Sequence, residues 1–147
     1  MTLTAHAVVG TVIAAKIGNP ALAIPIAILS HAVLDMVPHW DAATNRKDKS
    51  RKRLFIDSSV DALTAIAVSY SVIALVFPNT NLFYAALIVF FSLLPDILMA
   101  PYLFFKIIFF KWAYDFGKLT NRELDKPWGV IMQFIIVFCI ILLGKIF

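Results

Sequence analysis

Short polar segments divide the chain into five apolar runs. Three of them, residues 54–77, 82–100 and 128–147, are close to the roughly 20 residues with which an α-helix crosses the hydrocarbon core of a bilayer. Hydrophobic residues make up 61% of the 147 residues, against roughly 45 to 50% in a soluble domain. A soluble fold of this size has too little interior to bury so much apolar surface. The sequence therefore predicts a single all-α membrane domain and excludes a soluble enzyme, a disordered chain and a coiled coil.

Two shorter apolar runs precede these three. Residues 3–17 and 21–37 are joined by Gly18-Asn19-Pro20, which is a turn signal, so we expect a tight helical hairpin. Residues 101–126, after the fourth run, mix aromatic and basic side chains, which is typical of a helix at the level of the lipid headgroups. The predicted fold is a polytopic bundle of five membrane helices with one interfacial amphipathic helix.

The basic residues predict how the bundle is oriented, because cytoplasmic loops carry an excess of lysine and arginine. Of the 13 basic residues, six lie between 39 and 53 and five between 101 and 126, while the opposite ends carry only Lys16 and Lys145. We therefore expect a multi-pass protein of a prokaryotic cytoplasmic (inner) membrane, with both basic segments and the N-terminus in the cytoplasm. The basic segments also predict contacts with membrane lipids through anionic headgroups. No nucleic-acid partner is predicted, and the oligomeric state is open.

Histidines and aspartates collect at the predicted cytoplasmic ends of the first four helices. His31, Asp35 and His39 follow one another at intervals of four residues, so they form one stripe on a continuous helix. Asp57 and Asp61 repeat this spacing on the third helix. Each charged group at this depth costs about 3 kcal/mol unless it pairs or binds a cation. The collection is completed by His6, Asp41 and Asp96.

A divalent metal ion would compensate this accumulation of carboxylates. Neutral imidazole and carboxylate ligands without a thiolate suit zinc, with manganese and iron as alternatives. The single cysteine, Cys139, lies within an apolar run and supplies no cysteine site. The expected metal ligands are His6, His31, Asp35, His39 and Asp61, and the expected general bases are Asp57 and Asp96.

Simpler explanations compete with ligation for several of these residues. Asp57 can stabilise the start of the third helix through the helix dipole, and Asp96 can cap a helical segment that begins after Pro95. A hydrogen bond between His31 and Asp35 can join two helices without any ion. Sequence spacing alone leaves these alternatives open.

Short motifs surround the histidines and aspartates. They are Thr4-Ala5-His6 with Gly10, Ser30-His31-Ala32-Val33-Leu34-Asp35 continuing to Pro38-His39-Trp40-Asp41, and Leu94-Pro95-Asp96. Together they resemble the membrane-embedded metal-dependent hydrolase family, which is related to zinc-dependent phospholipase C and the single-strand-specific zinc nucleases. The resemblance covers the first four helices and leaves 101–147 unmatched. It implies a helical site with His and Asp ligands that hydrolyses phosphoesters with metal-activated water.

The leading expectation is therefore a hydrolase that acts on a phosphoester, lipid or lipid-linked, at a cytoplasm-facing His/Asp site. Two alternatives stay open. One is a membrane scaffold whose cluster binds a structural ion or no ion. The other is a cation or proton transporter, for which the opposite half of the membrane offers few polar residues.

Overall fold

Six α-helices make up most of the computed structural model, which describes all residues from Met1 to Phe147. Two short 3-10 turns, Arg46–Asp48 and Ile108–Phe110, lie in the connections, and the chain has no β-strand beyond one isolated bridge. The predicted all-α fold is confirmed. The helices are α1 (Leu3–Lys16), α2 (Pro20–Asp35), α3 (Arg51–Val76), α4 (Leu82–Phe105), α5 (Lys111–Thr120) and α6 (Trp128–Ile146).

Three of the helices, α3, α4 and α6, are long and apolar enough to cross a membrane. Their outward side chains are large and apolar, as expected for a surface in contact with lipid; Leu75 is 82% exposed, Phe83 89% and Phe134 70%. The helices α1 and α2 have 14 and 16 residues and reach only about 21 and 24 Å, at 1.5 Å per residue. Length and composition thus support a membrane protein with three crossing helices, and the predicted crossing by α1 and α2 stays a prediction.

Polar side chains fix where the helices begin. Thr2, Asn19, Ser50 and Asn81 each accept a hydrogen bond from a backbone N–H in the first turn of the helix that follows. Such caps satisfy backbone donors that have no partner inside the helix. In α2 the cap precedes Pro20, whose missing N–H costs nothing at the first helical position. The predicted hairpin between α1 and α2 therefore forms at the expected turn.

The helix α1 lies at the centre and contacts α2, α3, α4 and α6. Small residues allow these close contacts. A Cβ atom on Gly10 would lie 2.6 Å from Ser92 Oγ of α4, and one on Gly144 of α6 would lie 2.6 Å from Val12 Cγ1 of α1. The helices therefore approach at distances that only glycine permits, as is common in membrane bundles.

The segment 101–126 is less uniform than the sequence indicates. The helix α4 continues through Pro101 to Phe105, and only α5 forms a separate amphipathic helix, whose side chains Trp112 and Leu119 are 60% and 84% exposed. The chain then runs extended along the end of α2. There the backbone N–H of Arg122 donates to the Asp35 carbonyl (3.0 Å), and that of Leu124 donates to the His39 carbonyl (2.7 Å). This extended segment, residues 121–125, is called the strap and covers the end of the bundle that carries the histidines.

Candidate metal centre

The start of α1, the end of α2 and the second half of α4 meet at one end of the bundle and bring four side chains together. His6 Nε2 lies 3.0 Å from Asp35 Oδ1, and His31 Nε2 lies 3.4 Å from Asp35 Oδ2. His31 Nε2 also lies 3.7 Å from Asp96 Oδ1. His6, His31 and Asp35 are buried, and the Asp96 side chain is 20% exposed. The predicted convergence of these residues is present.

The two imidazole rings stack on each other. The ring centroids of His6 and His31 are 3.7 Å apart, with an angle of 13° between the ring planes. Two positive rings at this separation would repel each other strongly in a buried site. The stacking is therefore suited to neutral imidazoles, which is the state that binds a metal ion.

Hydrogen bonds fix the tautomer of each ring. His31 Nδ1 donates to the Ser92 carbonyl at 2.8 Å, because a carbonyl oxygen can only accept. His6 Nε2 donates to the Asp35 carboxylate, which leaves Nδ1 of His6 buried without a partner. Each neutral ring therefore keeps one nitrogen lone pair free, and a hydrogen bond from the other nitrogen is the usual orientation of a metal-binding histidine.

The free nitrogen of His31 faces negative charge. With Nδ1 protonated, the lone pair on Nε2 lies within 4 Å of oxygens of both Asp35 and Asp96. Lone pairs and carboxylate oxygens repel unless a proton or a metal ion lies between them. Ligand atoms of His6, His31 and Asp96 all lie within 4.8 Å of one another, so these three residues could hold a metal ion. The α-amino group of Met1 also contacts Asp35 and places a positive charge there.

His39 repeats this arrangement beside the first group. Its ring is fully buried, and Nδ1 donates to the Val37 carbonyl at 2.6 Å. Nε2 lies 3.6 Å from Asp41 Oδ2 and 3.9 Å from Asp35 Oδ1, without a hydrogen-bond partner. His39 therefore directs a second free nitrogen toward the carboxylate that contacts His6 and His31.

Asp41 belongs to the loop after α2 and is held in place. Its Oδ1 accepts from the Thr44 backbone N–H (2.6 Å) and hydroxyl (2.9 Å), and its Oδ2 accepts from Asn121 Nδ2 at 3.2 Å. These three hydrogen bonds stabilise the ionised form of the carboxylate. Asp41 is therefore an ionised carboxylate at neutral pH.

The structure gives Asp57 and Asp61 other partners. Asp61 accepts hydrogen bonds from the backbone N–H groups of Leu3 (2.7 Å) and Thr4 (3.2 Å), so it caps the start of α1 from α3. Asp57 pairs with Arg53 at 2.8 Å, one turn earlier on the same helix. Neither carboxylate belongs to the group that could hold an ion.

Sequence reasoning missed the contribution of Ser92. Its carbonyl orients His31, and its hydroxyl donates to the His6 carbonyl at 3.1 Å. A serine within an apolar run carries no signal of this kind, because a backbone carbonyl is the acting group. Gly10, a small residue one turn after His6, was the only sign in the sequence of a close helix contact.

A cavity of about 680 Å³ connects this group with the surface. His31, Asp35 and Asp96 line its inner part. Apolar side chains of α4 and α5 and basic side chains of the 41–48 loop line the rest, among them Leu103, Phe116, Arg46 and Lys47. A small molecule could therefore reach the histidines from this end of the bundle.

Comparison with protein-family models gives no match, and neither the curated proteins nor the solved structures include a match to this chain. The resemblance to the membrane-embedded hydrolases stays a prediction. Function must be inferred from the geometry of the site.

Proposed function

We propose that the protein is a membrane-embedded, metal-dependent hydrolase of phosphoesters, with a lipid or lipid-linked substrate. One observation carries the proposal: the free nitrogen of His31 faces the carboxylates of Asp35 and Asp96, three residues contributed by two helices. His6, from a third helix, completes the group. A buried arrangement of this kind is compensated by a cation.

Each residue of the group has a distinct part in this proposal. His6, His31 and Asp96 would hold the ion, Asp35 positions the His6 imidazole, and the Ser92 carbonyl positions that of His31. Asp96 is the more exposed of the two carboxylates, so it is also the group best placed to accept a proton from a reacting water. A bound divalent ion would supply Lewis acidity and lower the pKa of water to about 7.

The donor set decides which metal is expected. Two imidazoles with carboxylates and no thiolate favour zinc, with manganese and iron as alternatives. His39 and Asp41 lie beside the first group and would join Asp35 in holding a second ion. Such pairs of ions are common in enzymes that cleave phosphoesters.

The orientation in the membrane is part of the same proposal. We infer that α1 and α2 also lie within the bilayer, as a hairpin packed against the three longer helices. The cavity opens at the end of the bundle that carries Arg46, Lys47 and Lys118. Because basic segments favour the cytoplasm, this end and the N-terminus of α1 face the cytoplasm of a prokaryotic cell. Anionic headgroups of membrane lipids would gather there.

Hydrolysis by purified protein tests the proposal. Wild type in detergent, supplied with zinc or manganese, should cleave a generic phosphodiester or phosphatidic acid. His31→Ala should lose both metal and turnover. Asp96→Asn should weaken metal binding, because it removes one of the three ligands, and should lower turnover by roughly 10²- to 10⁴-fold, because it also removes the expected general base. Asp115→Asn is the matched control, since Asp115 lies on the surface of α5 in a pair with Lys111, and it should behave as wild type.

A scaffold role is the second candidate, and the hydrogen bonds themselves favour it. Asp35 joins α1 to α2 through His6 without requiring an ion. If no phosphoester is cleaved with any metal while Asp35→Ala lowers the melting temperature in detergent, the cluster is structural and the hydrolase proposal is wrong.

A further inference from the structure

The loop between α2 and α3 presents a fixed turn at the rim of the cavity. Bonds between Asp41 and Thr44 close the loop, and Asn45 adopts a left-handed backbone conformation (φ 58°) that asparagine tolerates well. Asn45 Nδ2 also donates to Asp125 Oδ2 at 2.8 Å, which attaches the loop to the strap. The next residue, Arg46, is therefore presented from an ordered backbone.

One aromatic side chain, Tyr114, holds the Arg46 guanidinium. Its Nη1 donates to the Tyr114 hydroxyl at 3.0 Å, and its central carbon lies 5.4 Å from the centroid of the same ring. Tyr114 in turn packs against Tyr102 of α4, with 5.0 Å between ring centroids. A guanidinium has five N–H donors, so this contact leaves most of them free. Arg46 is preorganised, but its hydrogen-bonding capacity is largely unused.

The charge of Arg46 also lacks a close partner. Arg53 and Lys111 form ion pairs with Asp57 and Asp115, whereas no carboxylate oxygen lies within 4.0 Å of Arg46. Glu123 lines the same cavity. The Glu123 carboxylate forms no ion pair with Arg46 within 4.0 Å, so the charge of Arg46 is available to a ligand.

One part of the cavity wall is apolar. Met99 and Leu103 of α4 and Phe116 of α5 line it. Phe116 is 51% exposed and continues along α5 into the exposed side chains of Trp112 and Leu119. A molecule in the cavity could thus hold an anionic group near Arg46 while its apolar part extends over α5 into the bilayer. The volume of about 680 Å³ is that of an ordinary small-molecule site.

We propose that Arg46, held by Tyr114, binds the phosphate group of an anionic amphiphile and selects it from neutral lipids. The reactive bond of the amphiphile would then lie between Arg46 and the His31/Asp96 group. The identity of the ligand as a substrate rests on the proposed function, whereas anion binding at Arg46 does not.

Binding to metal-free protein tests this inference separately from hydrolysis. Calorimetric titrations in detergent with EDTA would use three probes: dihexanoyl phosphatidic acid, dihexanoylglycerol and inorganic phosphate. Phosphatidic acid has two acyl chains and a charged phosphate, dihexanoylglycerol has the acyl chains without a charge, and inorganic phosphate has the charge without acyl chains. Wild type should bind phosphatidic acid more tightly than either of the other probes.

Arg46→Gln should raise the Kd for phosphatidic acid roughly 10- to 100-fold, the loss expected for a charge-assisted hydrogen bond. Arg51→Gln is the matched control, because Arg51 is an exposed arginine of the same basic segment that does not line the cavity, and it should change Kd less than twofold. If Arg46→Gln fails to fold, Arg46→Lys replaces it, with a smaller rise expected because the charge stays but the planar donors are lost.

Equal Kd values for Arg46→Gln and Arg51→Gln would overturn the inference, since only general charge attraction would remain. If inorganic phosphate binds as tightly as phosphatidic acid, the ligand need not be an amphiphile, and that part of the inference is wrong. If wild type hydrolyses nothing but Arg46→Gln loses binding, the hydrolase proposal fails and the inference stands. If wild type hydrolyses lipid and Arg46→Gln keeps the same KM and Kd, the inference fails and the hydrolase proposal stands.

Discussion

At the scale of single residues, the aspartates at one end of the bundle have different roles. Asp35 and Asp96 face histidine nitrogens, whereas Asp61 accepts hydrogen bonds from the first turn of α1. The difference follows from the surroundings. An aspartate opposite helix N–H groups is stabilised by them and by the helix dipole, and an aspartate opposite an imidazole lone pair needs a cation.

Replacing Asp61 tests this division. Asp61→Asn should lower the free energy of unfolding by about 1 kcal/mol, because it weakens the cap and removes a negative charge from the start of α1. Its zinc stoichiometry should equal that of wild type. Thermal unfolding in detergent and metal analysis give both values. Loss of metal with unchanged stability would show instead that Asp61 is a ligand.

At the scale of helices, the site depends on how closely α1 and α4 approach. Gly10 allows the contact with Ser92, and Ser92 in turn orients His31 through its carbonyl and contacts the His6 carbonyl through its hydroxyl. The packing of two helices and the geometry of the histidines are therefore coupled.

A methyl group at Gly10 tests this coupling. Gly10→Ala places a Cβ atom 2.6 Å from Ser92 Oγ, so α4 must shift. We expect a loss of about 1 to 3 kcal/mol in stability, typical of overpacking, together with weaker zinc binding. Gly18→Ala is the control, because no atom lies within 4 Å of a Cβ at that position. Equal melting temperatures for the two variants would contradict the close contact.

Helix positions were predictable from the sequence, but the rotation of α3 was not. Turn residues and caps mark the helix ends, and the spacing of His31 and Asp35 correctly indicated a shared face toward the site. The predicted continuation of this helical stripe to His39 is wrong, because α2 ends at Asp35 and His39 lies in the extended segment that follows. The i, i+4 spacing of Asp57 and Asp61 predicts only that they share a face of α3. Which neighbour this face meets depends on packing, and it meets the start of α1. The strap over α2 forms through backbone hydrogen bonds, which no side-chain pattern reveals.

At the scale of the whole molecule, the two ends of the bundle differ in chemistry. One end carries the histidines, the cavity and most of the basic residues. The other carries the α1–α2 and α3–α4 turns, where Tyr84 donates to the Ile17 carbonyl and the only basic residues are Lys16 and Lys145. This asymmetry is the basis for the proposal that the site lies at the cytoplasmic surface.

Cysteine accessibility tests the orientation. Two variants are made in a chain whose single cysteine, Cys139, is replaced by serine. Ser50→Cys places a thiol directly before α3, and Thr80→Cys places one in the turn after α3. In intact cells, a membrane-impermeant maleimide should label position 80 and leave position 50 unlabelled until the cells are permeabilised. The reverse pattern would place the basic segments and the site outside.

The central claim, a metal ion held by His6, His31 and Asp96, is tested most directly by zinc titration with X-ray absorption at the zinc edge. Wild type should bind at least one zinc ion per chain, with nitrogen and oxygen ligands at about 2.0 to 2.2 Å and no sulfur. His31→Ala should lose the ion and its imidazole signal, while Asp115→Asn should keep both. Zinc bound equally by wild type and His31→Ala, or not bound by wild type at micromolar concentration, would contradict the claim.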